Sequence, residues 1–219
     1  MNLPEFKAVI FDLDGTLLNT LGDLADAVNY AMRAKSYPER TVEEVRMFIG
    51  NGIAKLISRS VPPGTSQEDI RESLSLFTDY YGSHMRDKTQ PYEGIMNLLA
   101  GLREQGLKTA VVSNKHDSAA KALVKSFFGD LIDYTQGKTD GIAAKPDPGS
   151  LLKAAESVGA DIKSVLYVGD SDVDVLTAHN AGCVCAGVVW GYRDESLLKK
   201  SGADFIVHSA DELYFLIKN

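Results

Sequence analysis

Near its amino terminus the chain reads KAVIFDLDGT (residues 7–16), a short apolar run that stops abruptly at a pair of aspartates. Such a run, apolar without alternation, is typical of a buried strand in a parallel sheet. Asp12 and Asp14 then stand two positions apart at the carboxyl end of that strand, the edge at which open α/β sheets bind ligands. Two carboxylates so close repel each other unless a cation or a proton lies between them. The stretch therefore predicts an α/β fold with a ligand site built on its first strand.

Similar apolar runs recur along the chain and extend this first strand into a sheet. They are KTAVV (108–112), VLYV (165–168), VCAGVV (184–189) and FIV (205–207). Between them apolar residues recur at helical spacing, as in Ile95, Leu98, Leu99 and Leu102. Strands that alternate with helices of this length predict a doubly wound, mainly parallel sheet of the Rossmann-like α/β class.

One connection, from Phe11 to Lys108, is far longer than a crossover between neighbouring strands requires. Apolar residues at helical spacing predict several helices within it, and the first apolar face contains Leu21, Leu24 and Val28. We therefore predict a helical cap domain over residues 16–83, inserted into an α/β core of residues 1–15 and 84–219.

Composition and charge exclude several classes of protein. Lys and Arg total 23 and Asp and Glu total 30, so the net charge of −7 argues against nucleic acid or an anionic membrane as the main partner. No apolar run approaches the roughly 20 residues that span a bilayer. Cys183 and Cys185 stand two positions apart and cannot staple a fold, which indicates reduced thiols. We expect a cytoplasmic enzyme.

A second acidic cluster, GDSDVD (169–174), follows the predicted strand at 165–168. Asp170 opens the loop at the strand end, whereas Asp172 and Asp174 are explained equally well as acids in the first turn of a helix. If the two acidic strand ends meet, they form a hard, oxygen-rich site. Such a site suits Mg²⁺ better than zinc, because no Cys or His clusters with these aspartates in the sequence.

Two weaker signals stand between these acidic motifs. Ser113 and Asn114 follow the strand KTAVV and offer a hydroxyl and an amide to an oxyanion, although a helix cap is the commoner explanation of such a serine. Lys145 opens the stretch KPDP (145–148), whose prolines stiffen the approach to the next helix. A lysine held there can place one positive charge on a phosphate, although an isolated lysine usually lies on the surface.

In their order these four stretches resemble the haloacid dehalogenase-like hydrolase superfamily, which has an aspartate pair, a Ser or Thr, a lysine and an acidic pair. The inserted helical segment resembles the small cap of its phosphoglycolate phosphatase-like subfamily. Gly50, Asn51 and Gly52 look like the signature of that cap, although an ordinary glycine-rich turn between two helices would have a similar sequence. The family's first loop often continues with Asp-Ser or Asp-Thr, and the Asn19-Thr20 found here leaves the choice of substrate more open.

The resemblance implies a Mg²⁺-dependent phosphatase that acts on a small phosphorylated metabolite through an aspartyl-phosphate intermediate. Asp12 would be the nucleophile, and Asp14 the general acid and then the base. The implied metal ligands are Asp12, the backbone carbonyl of Asp14, Asp170 and, directly or through water, Asp174. The implied contacts with the substrate are Thr16, Ser113, Asn114, Lys145 and the cap residues Gly50, Asn51 and Gly52.

Several alternatives stay open from the sequence. A phosphosugar mutase of the same superfamily, similar to β-phosphoglucomutase, uses the same aspartate pair. The cap loop around Gly50, with Lys55 as its nearest base, favours the phosphatase. Pyrophosphatase or nucleotidase activity is a further alternative, and intact Asp12, Asp14, Lys145 and Asp170 argue against a binding protein without activity. We expect a monomer or weak homodimer with no nucleic-acid or membrane partner. Trp190 could border the site, although we favour packing as its role.

Overall fold

The computed structural model of the chain describes residues 5–50 and 52–218. Its strands are β1 (Ala8–Phe11), β2 (Leu18–Asn19), β3 (Gln90–Pro91), β4 (Lys108–His116), β5 (Tyr134–Lys138), β6 (Val165–Gly169), β7 (Val184–Val188) and β8 (Phe205–Val207). Its helices are α1 (Leu21–Ala34), α2 (Val42–Phe48), α3 (Ile53–Ser60), α4 (Gln67–His84), α5 (Ile95–Glu104), α6 (Asp117–Phe127), α7 (Gly149–Ser157), α8 (Asp172–Ala181), α9 (Glu195–Ser201) and α10 (Ala210–Lys218).

A six-stranded sheet in the order β5-β4-β1-β6-β7-β8 forms the centre of the larger of two compact units, which contains the residues up to Leu18 and those from Pro91 onward. Each neighbouring pair in this sheet is parallel, and β1 lies between β4 and β6. The side chains of β1 are completely buried, because helices cover both faces of such a sheet. The predicted mainly parallel α/β sheet is confirmed.

The predicted helical face of α5 is buried as expected, with Ile95, Leu98, Leu99 and Leu102 all at most 3% exposed. Two strands differ from expectation. β4 continues four residues beyond the apolar run 108–112 and includes Ser113 and Asn114. β5 was not predicted, because its sequence YTQGK has no apolar run and the strand lies at the edge of the sheet.

The second compact unit contains residues 19–90 and consists mainly of helices α1 to α4. The limits predicted from the sequence are residues 16 and 83. The unit continues past the end of α4 because the buried carboxylate of Asp23, on α1, accepts hydrogen bonds from the backbone of Lys88 and Thr89 (2.8 and 2.9 Å). The Thr89 hydroxyl donates to the same carboxylate (2.7 Å), so this segment is held against the start of α1.

In the part of the chain that the structure describes, no helix combines the length and the apolar character needed to cross a membrane.

Candidate active site

The two predicted acidic motifs meet at the carboxyl ends of β1 and β6. These strands are paired with Phe11 opposite Val168, and the Asp12 N–H donates to the Val168 carbonyl (2.8 Å). Asp12 and Asp170 therefore leave the sheet side by side. One carboxylate oxygen from each of Asp12, Asp170 and Asp174 lies within 4.8 Å of the others, and all three residues are buried.

These three carboxylates fit a hard cation such as Mg²⁺. Burial raises the pKa of Asp12 to about 7, although the neighbouring Lys145 ammonium acts in the opposite direction. Burial, together with the charge of Asp174, also raises the pKa of Asp170 well above its usual range. Asp12 Oδ1 is fully buried and, among the described residues, accepts no well-aligned hydrogen bond. A divalent cation at this place would offset both the cost of burial and the mutual repulsion.

Lys145 lies inside this cluster and not on the surface. Its Nζ is 2.8 Å from Asp12 Oδ1 and 2.7 Å from Asp174 Oδ1, and the lysine side chain is only 4% exposed. It also donates to the Tyr167 hydroxyl (3.0 Å) and to the Val112 carbonyl (3.2 Å). Burial lowers the pKa of Lys145, but the carboxylates of Asp12 and Asp174 raise it by more. The two carboxylates therefore favour the charged form of Lys145 beside Asp12.

Asn114 holds the backbone at Lys145 in place. Its Oδ1 accepts from the Lys145 N–H (2.8 Å), and its Nδ2 donates to the Lys145 carbonyl (3.2 Å). The side-chain amide thus uses both its acceptor and one of its donors on the chain itself. In this arrangement Asn114 acts on the site through Lys145.

Asp174 is fully buried and both of its carboxylate oxygens accept hydrogen bonds from the chain. Oδ1 accepts from Lys145 and from the Tyr167 hydroxyl (3.1 Å). Oδ2 accepts from the backbone N–H (3.2 Å) and the hydroxyl of Ser171, which in turn caps the first turn of α8. The sequence left open whether Asp174 binds a metal directly or through water. Its four hydrogen bonds favour the indirect role.

Asp14 is paired with a lysine that sequence reasoning missed. The Lys115 Nζ lies 2.9 and 3.1 Å from the two carboxylate oxygens of Asp14. Lys115 and Ser113 stand two positions apart on β4 and are both buried, as expected for residues on one face of a strand. The sequence would have indicated Lys115 only if the strand had been predicted to continue past its apolar run through residues 113–115.

The Asp12–Thr16 loop approaches Asp170 very closely at Gly15. This glycine has φ +91°, and a Cβ on it would collide with the Asp170 carboxylate. Only glycine combines this backbone conformation with so close an approach. The buried hydroxyl of Thr16 points to Asp170 Oδ1, at 3.4 Å. Thr16, a predicted substrate contact, thus lies against the second acidic motif.

The segment Trp190–Tyr192 forms part of the site wall, whereas Trp190 was interpreted from the sequence as a packing residue. The Trp190 indole donates to the Thr16 carbonyl (3.0 Å), and the Tyr192 N–H donates to Asp170 Oδ2 (2.7 Å). A Cβ on Gly191 would collide with Asp170 and with the Gly15 carbonyl. This segment follows β7 and so places a third strand end against Asp170.

The predicted cap residues lie in the helical unit, between α2 and α3. Gly50 and Gly52 both have positive φ angles (133° and 81°), and Gly52 precedes the first residue of α3. Asn51 lies outside the described residues.

Comparisons with known proteins agree with this geometry. Residues 9–188 match the family model of the haloacid dehalogenase-like hydrolases. The chain is 34% identical to a phosphoglycolate phosphatase of Mannheimia succiniciproducens, over 97% of this chain and 99% of that one. It is also 34% identical to the phosphoglycolate phosphatase of Chromobacterium violaceum, over the full length of both. A solved structure from Lactobacillus delbrueckii subsp. bulgaricus, which carries the name phosphoglycolate phosphatase as a working assignment, is similar with a TM-score of 0.92 and 34% identity, covering 97% of this chain and 98% of that one.

Proposed function

The chain belongs to the haloacid dehalogenase-like hydrolase family and is a phosphatase, and from this premise we propose its reaction, its cofactor and its substrate. We propose that it hydrolyses small phosphorylated metabolites, phosphoglycolate first among them, with Mg²⁺ and through an aspartyl-phosphate on Asp12. The observation that carries this proposal is the buried Asp12 carboxylate, which lies 2.8 Å from the Lys145 ammonium and clusters with Asp170 and Asp174 of the second motif.

In the first step a carboxylate oxygen of Asp12 attacks the phosphorus of the substrate. The bond between phosphorus and the leaving oxygen breaks, and Asp14 donates a proton to the departing alkoxide. In the second step water attacks the phosphorus of the aspartyl-phosphate and the bond to Asp12 breaks. Asp14 then takes the proton of the water, and inorganic phosphate leaves.

Mg²⁺ would be held by Asp12, the backbone carbonyl of Asp14 and Asp170, with Asp174 in an orienting role. When bound, it offsets the repulsion between the Asp12 carboxylate and the anionic phosphate. Thr16, Trp190 and Tyr192 would keep the first loop and Asp170 in place, because each donates a hydrogen bond within this part of the site.

Lys145 and Ser113 would contact the phosphoryl oxygens. The Lys145 ammonium already lies beside the attacking oxygen of Asp12, so it can follow the negative charge as it moves in the transition state. Ser113 is buried on the neighbouring strand β4, two positions after the residue paired with Phe11. Asn114 would contribute by fixing the backbone of Lys145.

The leaving group is the part of the substrate that distinguishes one phosphate ester from another. The relatives named phosphoglycolate phosphatase align over nearly the whole chain, which supports phosphoglycolate as the substrate. We assign recognition of the leaving group to the helical unit, with Gly50, Asn51 and Gly52 among its contacts. The buried free thiols of Cys183 and Cys185 support a reducing compartment, and we propose that the enzyme acts in the cytoplasm as a monomer or weak homodimer.

A phosphate-release screen with Mg²⁺ tests the substrate. It would compare phosphoglycolate with sugar phosphates, nucleotides and pyrophosphate. We expect kcat/KM to be highest for phosphoglycolate, by about tenfold or more, because binding contacts to one leaving group discriminate by a few kcal/mol. Isomerisation of a sugar phosphate without phosphate release would contradict hydrolysis, and a higher kcat/KM for another phosphate ester would contradict the substrate alone.

Removal of the metal tests the cofactor. We expect EDTA to abolish turnover and an excess of Mg²⁺ over EDTA to restore it, because the Asp12 carboxylate and the phosphate otherwise repel each other. The matched control is enzyme treated with the Mg²⁺ complex of EDTA, which cannot remove the metal. Full activity in excess chelator would rule out the metal.

A further inference from the structure

We propose that Lys115 is a positioning residue for Asp14, and that it serves the second half of the reaction, in which water cleaves the aspartyl-phosphate. This inference rests on the proposed function, because it requires Asp14 to act as the base in that step. Lys115 reaches the site because β4 continues past its apolar run.

The contact is bidentate and shielded from water. The Lys115 Nζ approaches both oxygens of the Asp14 carboxylate, at 2.9 and 3.1 Å, and the two side chains are 6% and 15% exposed. An ammonium at similar distances from both oxygens holds the carboxylate group in one position, and with it the place from which Asp14 can accept a proton.

The backbone that carries Lys115 is itself held in place. Its N–H donates to Ser113 Oγ (3.2 Å) on one side. On the other side β5 approaches so closely at Gly137 that an added Cβ would meet the Lys115 carbonyl and the Asp117 backbone. The Gly137 N–H also donates to the Asp117 carboxylate (3.0 Å). The lysine therefore reaches Asp14 from a rigid strand and not from a mobile loop.

Each carboxylate of the first motif contacts a lysine, and the two lysines differ in how they make the contact. Lys145 approaches one oxygen of Asp12 and one of Asp174 and donates to the Tyr167 hydroxyl, as expected of a charge that stabilises a whole cluster. Lys115 approaches both oxygens of Asp14. The contact with both oxygens of one carboxylate fits a group that positions the base.

The step in question is the attack of water on the phosphorus of the aspartyl-phosphate. The new bond joins the water oxygen to phosphorus, and the bond from phosphorus to Asp12 breaks with its electron pair returning to the Asp12 carboxylate. The proton of the water goes to Asp14. If Asp14 is displaced, this step slows, whereas transfer from an aryl phosphate to Asp12 is little affected, because a nitrophenolate leaves without a proton donor.

Rapid-mixing kinetics with 4-nitrophenyl phosphate separate the two steps. We expect Lys115→Met to release the first equivalent of nitrophenolate at about the wild-type rate, and then to turn over about tenfold to a hundredfold more slowly. Mass spectrometry of acid-quenched enzyme should show a larger fraction carrying one added phosphoryl group. Lys115→Arg should restore turnover in part, because a guanidinium also holds both oxygens of a carboxylate.

The control is Lys121→Met, which removes an exposed lysine paired with Asp117 on α6 and should leave both phases unchanged. Equal slowing of both phases in Lys115→Met without more phosphoenzyme would overturn the proposal, since Lys115 would then act on the substrate or on the fold. Wild-type kinetics in Lys115→Met would overturn it as well.

Failure of the underlying function has a different signature. Asp14→Asn should itself accumulate phosphoenzyme from the aryl phosphate. If this variant carries no phosphoryl group, the aspartyl-phosphate mechanism is wrong, and the proposal for Lys115 falls with it whatever the lysine variants show.

Discussion

At Asp12 two opposing effects act on a single carboxyl group. Burial raises its pKa, and the Lys145 ammonium at 2.8 Å works in the other direction, with a net pKa of about 7. In the proposed reaction Asp12 must be ionised to attack phosphorus, so that role depends on positive charge beside its carboxylate. Lys145 supplies part of that charge from the chain, and the carboxylates of the second motif provide the place for a cation.

Replacement of Asp12 by asparagine tests the nucleophile directly. Asp12→Asn should abolish Mg²⁺-dependent turnover, because an amide neither attacks phosphorus as a carboxylate does nor leaves as one in the second step. The fold should remain, since the amide keeps the shape of the side chain and removes a buried charge. Activity is measured by phosphate release, and the fold by circular dichroism and Tm.

The matched control is Asp172→Asn, two positions after Asp170 in the first turn of α8. It removes the same charge outside the carboxylate cluster and should retain activity. Retention of more than a few per cent of the activity in Asp12→Asn would refute the assignment of the nucleophile.

Among the elements, α8 performs two tasks with one set of hydrogen bonds. The Ser171 hydroxyl accepts from the Asp174 N–H, and the Asp174 carboxylate accepts from the Ser171 N–H, which is a capping box. The same carboxylate also accepts from Lys145 and Tyr167. The start of the helix therefore helps to determine where the Lys145 ammonium lies.

This double use predicts that the cap of α8 affects both stability and turnover. Ser171→Ala should lower the free energy of unfolding by about 1 kcal/mol, as expected for the loss of an N-cap. It should also lower kcat, because Asp174 Oδ2 loses a hydrogen bond and holds Lys145 less firmly. Thermal or denaturant unfolding and steady-state kinetics measure the two effects.

A second capping box, between Thr41 and Glu44 at the start of α2, provides the control. Thr41→Ala should cost a similar free energy of unfolding without the effect on kcat. If both variants lost the same fraction of kcat, the link between the α8 cap and Lys145 would be refuted.

On the scale of the whole molecule, part of the negative charge is concentrated at one place. The net charge is −7, and Asp12, Asp170 and Asp174 converge within a buried cluster. A cation there would link the fold to its function, because binding to the folded state alone stabilises that state. Under the proposed function, Lys145 and a bound metal would offset the repulsion between this acidic site and a phosphate ester.

The stabilisation by Mg²⁺ should depend on pH. The pKa values of Asp12 and Asp170 are raised in the folded chain, to about 7 for Asp12, so the folded state binds more protons than the unfolded state between their ordinary values and the raised ones. Without metal, the contribution of these groups to stability is therefore lost as the pH rises through that window. Mg²⁺ competes with the same protons, so the gain in Tm on adding Mg²⁺ should be larger at about pH 8 than at about pH 5.5.

Thermal unfolding in EDTA and in saturating Mg²⁺ at the two pH values measures this gain. Asp170→Asn should lose most of it, whereas Asp172→Asn should keep it. An equal gain at both pH values would contradict binding of the metal by carboxylates that are protonated in its absence.

How much of the site could be predicted from the sequence is clearest from particular residues. The convergence of Asp12 and Asp170 could be expected, because each directly follows an apolar run and the carboxyl ends of parallel strands share one edge of a sheet. Lys115 could not, because the apolar run of β4 ends at Val112 while the strand continues to His116. For Trp190 the sequence favoured packing over the edge of the site, because its hydrogen bond to the Thr16 carbonyl is a contact that no spacing reveals.

The sequence by itself determined the parallel α/β sheet, the order of the motifs along it and the family, because these follow from local hydrophobic patterns and from short strings of residues. Only the tertiary structure decided which lysine contacts which carboxylate. Lys115 and Asp14 are 101 positions apart, and Lys145 and Asp174 are 29 apart. Their pairing depends on the order of neighbouring strands and on the direction of each side chain at the strand end, which no local pattern encodes.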